Sequence, residues 1–242
     1  MSRLKVAALA AACLGIAVTH VACKDAEARK RRKSPPRRVV KPAGELQVTA
    51  PDAMCITRGA RAFDGPRLTI DEPTVRVVAP ASHGDAAALR FTFNGDSEKK
   101  VALASGQMRR QLGLKLRAGD GCNLVYVMWR LDPTPFVEVQ TKINPGSHDH
   151  DDCGAGGYTK VKAVRSEAPP PLRTGTTHTL SAEIIGDELT ARIDDKVVWR
   201  GRLADDARAL DGPAGLRTDN VAIDAELLVA PIAKRHAVPG CD

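Results

Sequence analysis

The sequence predicts an all-β fold, a two-sheet antiparallel sandwich, and three observations carry that expectation. Apolar and polar residues alternate along almost the whole chain after Glu45, the period of strands with one buried face. Gly, Pro, Asn and Asp interrupt the alternation at short intervals, which makes many short strands. No window keeps a helical period beyond one turn near Asp205–Leu210.

Taken in order, Leu46–Ala50 and Met54–Thr57 are strands on either side of Pro51-Asp52, and Val75–Ala79 is a run of valines. Ala88–Asn94 alternates cleanly, and Lys100–Ser105 and Gln111–Arg117 follow it as two further strands. Asn123–Leu131 and Phe136–Ile143 form a pair broken at Asp132-Pro133, with Lys160–Val164 after a polar loop. Thr179–Ile185, Leu189–Ile193 and Val197–Leu203 are joined by turns at Gly186-Asp187 and Asp194-Asp195. Ala214–Arg217 and Val221–Val229 close the series, and no internal repeat is seen.

At 242 residues the chain is long enough for one large β domain, here residues 45–242, and 43 % hydrophobic residues supply a core. Only eight residues are aromatic: Phe63, Phe91, Phe93, Tyr126, Trp129, Phe136, Tyr158 and Trp199. So few rings argue against a wide stacking platform for sugars or single-stranded nucleic acid. The net charge of +7 is unevenly placed. Residues 1–44 hold eleven Lys or Arg against two acids, which leaves 25 basic and 27 acidic groups for the remainder. A near-neutral domain gives no support to nucleic acid as a partner.

Arg3 and Lys5 precede a thirteen-residue apolar run, Val6–Val18, too short to span a bilayer and suited to the core of an export signal over residues 1–22. Cleavage after Ala28 would use Ala26-Glu27-Ala28, whereas Val21-Ala22-Cys23 resembles a lipobox that would be cut before Cys23 and acylate it. His20 stands where that motif usually has Leu, and the two routes remain open. Either predicts export, to the outer membrane or periplasm as a lipoprotein or to the medium. Residues 23–44, rich in Arg, Lys and Pro, are predicted to be a disordered basic tether. The tether is either a solvated spacer or a patch for anionic lipid or polysaccharide, each basic residue adding about 1 kcal/mol near a charged surface. Contact with a membrane is expected only through that tether and a lipid on Cys23.

Cys55, Cys122, Cys153 and Cys241 remain in the exported chain. Four cysteines outside the cytoplasm imply two disulfides, with three connectivities open, and none has the C-x₂₋₄-C spacing of a zinc site.

The segments ALRFTFNG, HTLSAEIIGDELTARIDDKVVW and GPAGLRTDNVAIDAELL resemble the early core strand, the signature strand with its hairpin, and the closing strand pair of the concanavalin A-like lectin/glucanase (laminin G-like) superfamily. The resemblance covers most of Ala88–Val229, and Thr177 departs from it where an aromatic usually precedes the histidine. It implies a jelly-roll sandwich whose termini meet on adjacent strands, and hence the pairing Cys55–Cys241 with Cys122–Cys153. The second bridge would close a loop of about thirty residues, worth roughly 3–4 kcal/mol. The scaffold carries lectins, adhesion modules and glycosidases alike, so it leaves the activity to the site.

Two clusters stand out. In NPGSHDHDDCGAGGY, His148, Asp149, His150, Asp151 and Asp152 lie together, and on an extended strand the two histidines would share a face. Those donors suit a transition metal, and the three aspartates suit Ca²⁺, the one cofactor this sequence suggests. The plainer reading is a polar loop anchored by a disulfide. In CNLVYVMWRLDPTPFVEVQTKIN, the strand pair resembles the ligand-bearing concave strands of the superfamily. Tyr126, Met128 and Arg130 point one way and Val125, Val127 and Trp129 the other, with Trp129 and Trp199 read as core. The first face, with Glu138 and Gln140, would be a sugar platform.

No catalytic residue is assigned. A glycosidase needs two carboxylates about 5–9.5 Å apart, and VEVQTKIN offers Glu138 alone where jelly-roll glucanases carry E-x-D-x-x-E. No nucleophile elbow or phosphate-binding loop is present either. The expected role is a non-catalytic envelope or extracellular module that binds polysaccharide or another envelope component. The alternatives are a hydrolase using Glu138 with Asp149, Asp151 or Asp152, and a structural module that binds an envelope protein.

Overall fold

In the computed structural model, residues 44–59, 63–64 and 67–241 are described. The export signal, both cleavage points, Cys23 and the tether up to residue 43 lie outside the described residues. The strands are β1 (Gln47–Val48), β2 (Cys55–Arg58), β3 (Phe63–Asp64), β4 (Arg67–Ile70), β5 (Thr74–Ala79), β6 (Ser82–Gly95), β7 (Gln111–Leu116) and β8 (Leu124–Arg130). They continue as β9 (Phe136–Lys142), β10 (Tyr158–Lys160), β11 (Ala163–Ser166), β12 (Thr177–Ile185), β13 (Glu188–Ile193), β14 (Lys196–Arg202), β15 (Ala214–Asp219) and β16 (Ala222–Pro231). Two single helical turns, α1 (His150–Cys153) and α2 (Asp205–Arg208), interrupt them.

The strands make an antiparallel jelly-roll sandwich. The back sheet runs β11-β14-β13-β12-β6-β16-β4-β3, with β1 also on β16, and the front sheet runs β10-β9-β8-β7-β15-β5-β2. Alternation decides what faces inward. Leu112, Leu114 and Leu116 of β7, Val125, Val127 and Trp129 of β8, and Val137 and Val139 of β9 meet Leu89, Phe91, Leu180, Ala191 and Leu227 of the back sheet. Each such side chain contributes roughly 1.5–3 kcal/mol on full burial. Phe91 of β6 stands edge-on to Trp129 of β8 at 5.9 Å, a bridge between the sheets. Trp199 is also buried.

Three expectations need correction. Lys100–Ser105 is a loop, because Asn220 supplies its backbone partners: Asn220 Oδ1 accepts from Val101 N at 2.8 Å, and Nδ2 donates to Val101 O at 3.0 Å and Arg109 O at 2.8 Å. A side chain thus replaces a neighbouring strand as the partner of that backbone. Lys160–Val164 is two strands: β10 lies on β9 in the front sheet and β11 on β14 in the back sheet. Alternation reports the face of a residue and is silent on the sheet. The long strand β6 begins at Ser82, ahead of the expected Ala88, and β3 and β4 add a back-sheet edge that the pattern did not reveal.

Cys55 is bonded to Cys241, Cα–Cα 5.6 Å, and Cys122 to Cys153, Cα–Cα 6.0 Å. The first closes 186 residues of chain, for which the loop-entropy estimate is about 5 kcal/mol. The Cys55→Ser/Cys241→Ser double variant is therefore expected to unfold at a clearly lower urea concentration than the parent. An unchanged midpoint would mean that this bridge does not constrain the unfolded chain.

Candidate functional site

The outer face of the front sheet is polar yet almost closed to water. Alternation sends Gln111 and Lys115 of β7, Tyr126 and Met128 of β8, and Arg217 and Asp219 of β15 to this face, and all six are buried. The register sets Arg217 opposite Arg76, Asp219 opposite Gln111, and Lys115 opposite Tyr126. Gly113 and Gly215 leave gaps between these side chains. A Cβ at either position would lie 2.1 Å from a neighbouring strand's carbonyl oxygen, that of Val127 or Val77, so the close approach of strands requires glycine.

One carboxylate organises this floor. Asp219 is fully buried and accepts from Arg76 Nη2 at 2.6 Å, Gln111 Nε2 at 2.6 Å and Arg217 Nε at 2.8 Å. Burial pushes its pKa up, but Arg217, Arg76 and these hydrogen bonds outweigh burial and hold it below the usual carboxylate range. The Arg217 guanidinium lies 4.8 Å above the Tyr126 ring, which stacks on Tyr158 at 6.0 Å, and Arg217 Nη1 donates to the Tyr158 hydroxyl at 3.3 Å. Burial raises the Tyr126 pKa further, so its phenol is neutral at physiological pH. Lys115 is 3 % exposed, and its ammonium has no hydrogen-bond partner among the described residues. Burial, then Arg76 and Arg217, push its pKa down to about 7.

Three segments cover the floor: the Val101–Arg109 loop pinned by Asn220, the loop closed by Cys122–Cys153, and the C-terminal stretch Val238–Gly240. Between them lie a cavity of ≈ 590 Å³ and a second of ≈ 560 Å³, both walled in part by Arg58, Arg76, His150 and Asp151. The larger also meets Gln107, Arg109, Gln140, Tyr158 and Arg217, and the smaller Lys115, Asp120 and Tyr126. Each has the size of a small-molecule site.

The sequence-predicted residues divide across this surface. Gln140 lines the larger cavity and Tyr126 the smaller, whereas Arg130 and Glu138 line neither. Glu138 is 5 % exposed and held between Arg130 Nε and Lys160 Nζ, each 2.9 Å from one of its oxygens. Asp149, Asp151 and Asp152 lie beyond β9, at the cap and within α1.

The His148–Asp152 cluster does not fold as an extended strand, so its two histidines do not share a strand face. Asp149 instead caps α1, its carboxylate accepting from Asp151 N at 2.9 Å. His148 Nδ1 pairs with Asp120 Oδ2 at 2.8 Å. His150 Nδ1 lies 3.3 Å from Lys142 Nζ, and burial followed by Lys142 lowers the His150 pKa. Lys142 is fully buried and donates to Gly154 O at 2.9 Å, Gly121 O at 3.1 Å and Cys153 Sγ at 3.0 Å, so a cation already anchors this loop. Among the described residues no three His, Cys, Asp or Glu side chains gather in a metal-binding arrangement. The five donors therefore do not fit a Ca²⁺ or transition-metal site as they stand.

Sequence reasoning missed Arg58, Arg76, Gln111, Lys115, Arg217, Asp219 and Asn220. For Gln111, Lys115, Arg217 and Asp219 the signal was polar residues at every second position of QLGLKL and GLRTD, which reads equally as a solvated sheet face.

No protein-family model matches the chain, and no curated protein matches it. Among solved structures, a carbohydrate binding module CBM66 from Bacillus subtilis is similar at 16 % identity and TM-score 0.49, over 72 % of this chain and 91 % of that one. A Crh5 transglycosylase in complex with NAG is similar at 17 % identity and TM-score 0.44, over 80 % and 86 %. A tetrameric galectin from the ball sponge Cinachyrella sp. is similar at 16 % identity and TM-score 0.39, over 69 % and 99 %. Likeness at this level concerns the fold and is silent on ligand.

Two predictions follow from the floor. Asp219→Ala leaves two buried guanidiniums opposed, and the expected loss is about 3–5 kcal/mol in urea unfolding. A loss under about 1 kcal/mol would mean water already solvates them. Lys115→Met is expected to stabilise. Below pH 7 the native fold carries the full cost of a buried ammonium. From about pH 7 to about pH 10 the unfolded chain binds more protons at this lysine, so that cost fades as pH rises. The gain should be on the order of 1–4 kcal/mol at pH 6 and vanish near pH 10, and a gain independent of pH would contradict the burial of charge.

Proposed function

We propose that the chain is an exported, non-catalytic module that binds polysaccharide of the cell envelope or its surroundings across the outer face of the front sheet. The observation that carries this reading is the pair of cavities sharing Arg58, Arg76, His150 and Asp151, which offers a run of adjacent subsites where a compact metabolite would need one. Gln107, Gln111, Gln140 and Tyr158 line the larger cavity with groups that donate to and accept from sugar hydroxyls. The two disulfides support an oxidising, extracytoplasmic setting. The proposed domain is residues 45–242, held at the surface by the basic N-terminal segment and, where Cys23 is acylated, by lipid.

The hydrolase alternative, built on Glu138, has less support. Glu138 is neutralised by Arg130 and Lys160 and faces neither cavity.

The test is binding of the exported protein to a panel of immobilised envelope and extracellular polysaccharides. Saturable binding is expected, weakened about tenfold by Ala155→Trp, which crowds the mouth of the larger cavity from an exposed loop. Glu138→Gln should leave that binding intact, and no reducing ends should be released by either protein. Release of reducing ends that stops in Glu138→Gln would establish the hydrolase instead, and an absence of binding to the whole panel would end the polysaccharide reading.

A further inference from the structure

The groove carries a charge imbalance that its own side chains do not correct. Arg58, Arg76, Arg109 and Arg217 line the larger cavity against a single carboxylate, Asp151, with Asp219 buried beneath. Asp219 is shared between Arg76 and Arg217, so two guanidiniums share one carboxylate there, and Asp120 is the one acid whose charge favours the Lys115 ammonium. The smaller cavity sets Asp120, Asp149 and Asp151 against Arg58, Arg76 and Lys115, with Asp120 bound by His148 and the Asn123 side chain and Asp149 capping α1, so the excess of bases lies on the side of Arg109 and Arg217. Lys115 Nζ meets none of these carboxylates in a salt bridge, and Arg58 has no ion-pair or side-chain hydrogen-bond partner among the described residues. Buried excess charge of one sign destabilises a fold, and neither Lys115 nor Arg58 makes an ion pair that would account for its place in this groove.

The missing negative charge can come from a ligand. An anionic group seated at the junction of the cavities would meet Arg58 and Arg76, which with His150 and Asp151 are common to both, with Lys115 on one side and Arg217 on the other. Guanidinium forks match the planar or tetrahedral oxygens of carboxylate and sulfate, while an ammonium adds a point charge. We propose that the polysaccharide bound here is acidic, its carboxylate or sulfate-ester groups seated at Arg58, Arg76 and Lys115. This inference rests on the polysaccharide reading and adds the class of chain that the groove selects. It also accounts for the scarcity of exposed rings, because Arg217 already covers the face of Tyr126 and recognition falls to charge-assisted hydrogen bonds.

The test compares matched pairs on the full exported chain: polygalacturonate with its carboxyl-reduced galactan, and dextran sulfate with dextran. Binding at fixed ionic strength should favour at least one acidic chain over its neutral counterpart by about tenfold or more, and the pair that responds identifies carboxylate or sulfate. Arg58→Glu changes an exposed side chain on β2 and should leave the melting temperature unaltered while weakening acidic binding by about tenfold. Arg165→Glu, equally exposed on β11 and remote from the cavities, should not weaken it. Lys115→Met, which stays folded on the argument above, should weaken it as Arg58→Glu does.

Equal binding of acidic and neutral chains would overturn this inference and leave the polysaccharide module standing. Acidic binding that falls equally in Arg58→Glu and Arg165→Glu, or in neither, would place it on net charge or the basic N-terminal residues and would also overturn it. Failure of all four polymers alongside binding of some other neutral chain would do the same. Failure of every polysaccharide would remove both readings together.

Discussion

The front sheet depends on one buried carboxylate. Asp219 accepts from Gln111, Arg217 and Arg76, and so ties β7, β15 and β5 together on the face away from the core. Without it Arg217 and Arg76, directly opposed on neighbouring strands, would repel each other in a medium that screens poorly. It also fixes register. A slip of β15 by one residue would drive Arg217 and Asp219 into the apolar layer built by Leu114, Leu216 and Val77. The polar face is thus what makes the apolar face unambiguous.

The residue after that carboxylate extends the same control to the rim. Asn220 is fully buried with φ 54°, a left-handed conformation that asparagine tolerates better than most residues. From there its amide holds Val101 and Arg109, the two ends of the loop that walls the larger cavity. The turn between β15 and β16 therefore sets both floor and wall. On the other side Lys142 and the Cys122–Cys153 bridge do similar work, gathering Gly121, Gly154 and Cys153 around one ammonium. A groove framed from both sides in this way would leave little to order on binding, which would reduce the entropic cost.

The sequence disclosed the fold because sandwich strands must alternate, and residues such as Leu112, Leu114, Val125 and Trp129 occupy the face that period assigns to them. The turns at Gly186-Asp187 and Asp194-Asp195 were equally legible, since Gly186, Asp194 and Asp195 all adopt positive φ. The site was much less so. Alternation places Lys115, Arg217 and Asp219 off the core, but a sheet face bathed in water and one roofed by loops have the same spelling. The roof arises from contacts between residues more than a hundred positions apart, such as Asn220 with Val101, which no local pattern encodes. The HDHDD run shows the opposite error. Donor-rich composition suggested a ligand set, while local geometry used Asp149 as a cap and turned His150 toward a lysine.

Net charge gave a similarly incomplete picture. Residues 45–242 carry 25 basic and 27 acidic groups, a balance that argues against a polyanion partner for the domain as a whole. Position alters that conclusion. Many of the acids neutralise bases away from the groove, as Glu226 does with Arg90 and Arg67 on the back sheet and Asp85 with Arg117. Arg58 and Lys115 make no ion pair among the described residues, and with Arg76, which shares Asp219 with Arg217, they line one groove. A field is set by where charges sit and by the dielectric around them, so a near-neutral domain can present a groove with an excess of bases. Burial is the main cause of the low Lys115 pKa, and Arg76 and Arg217 add to it; that second part is the field an anion placed beside them would relieve.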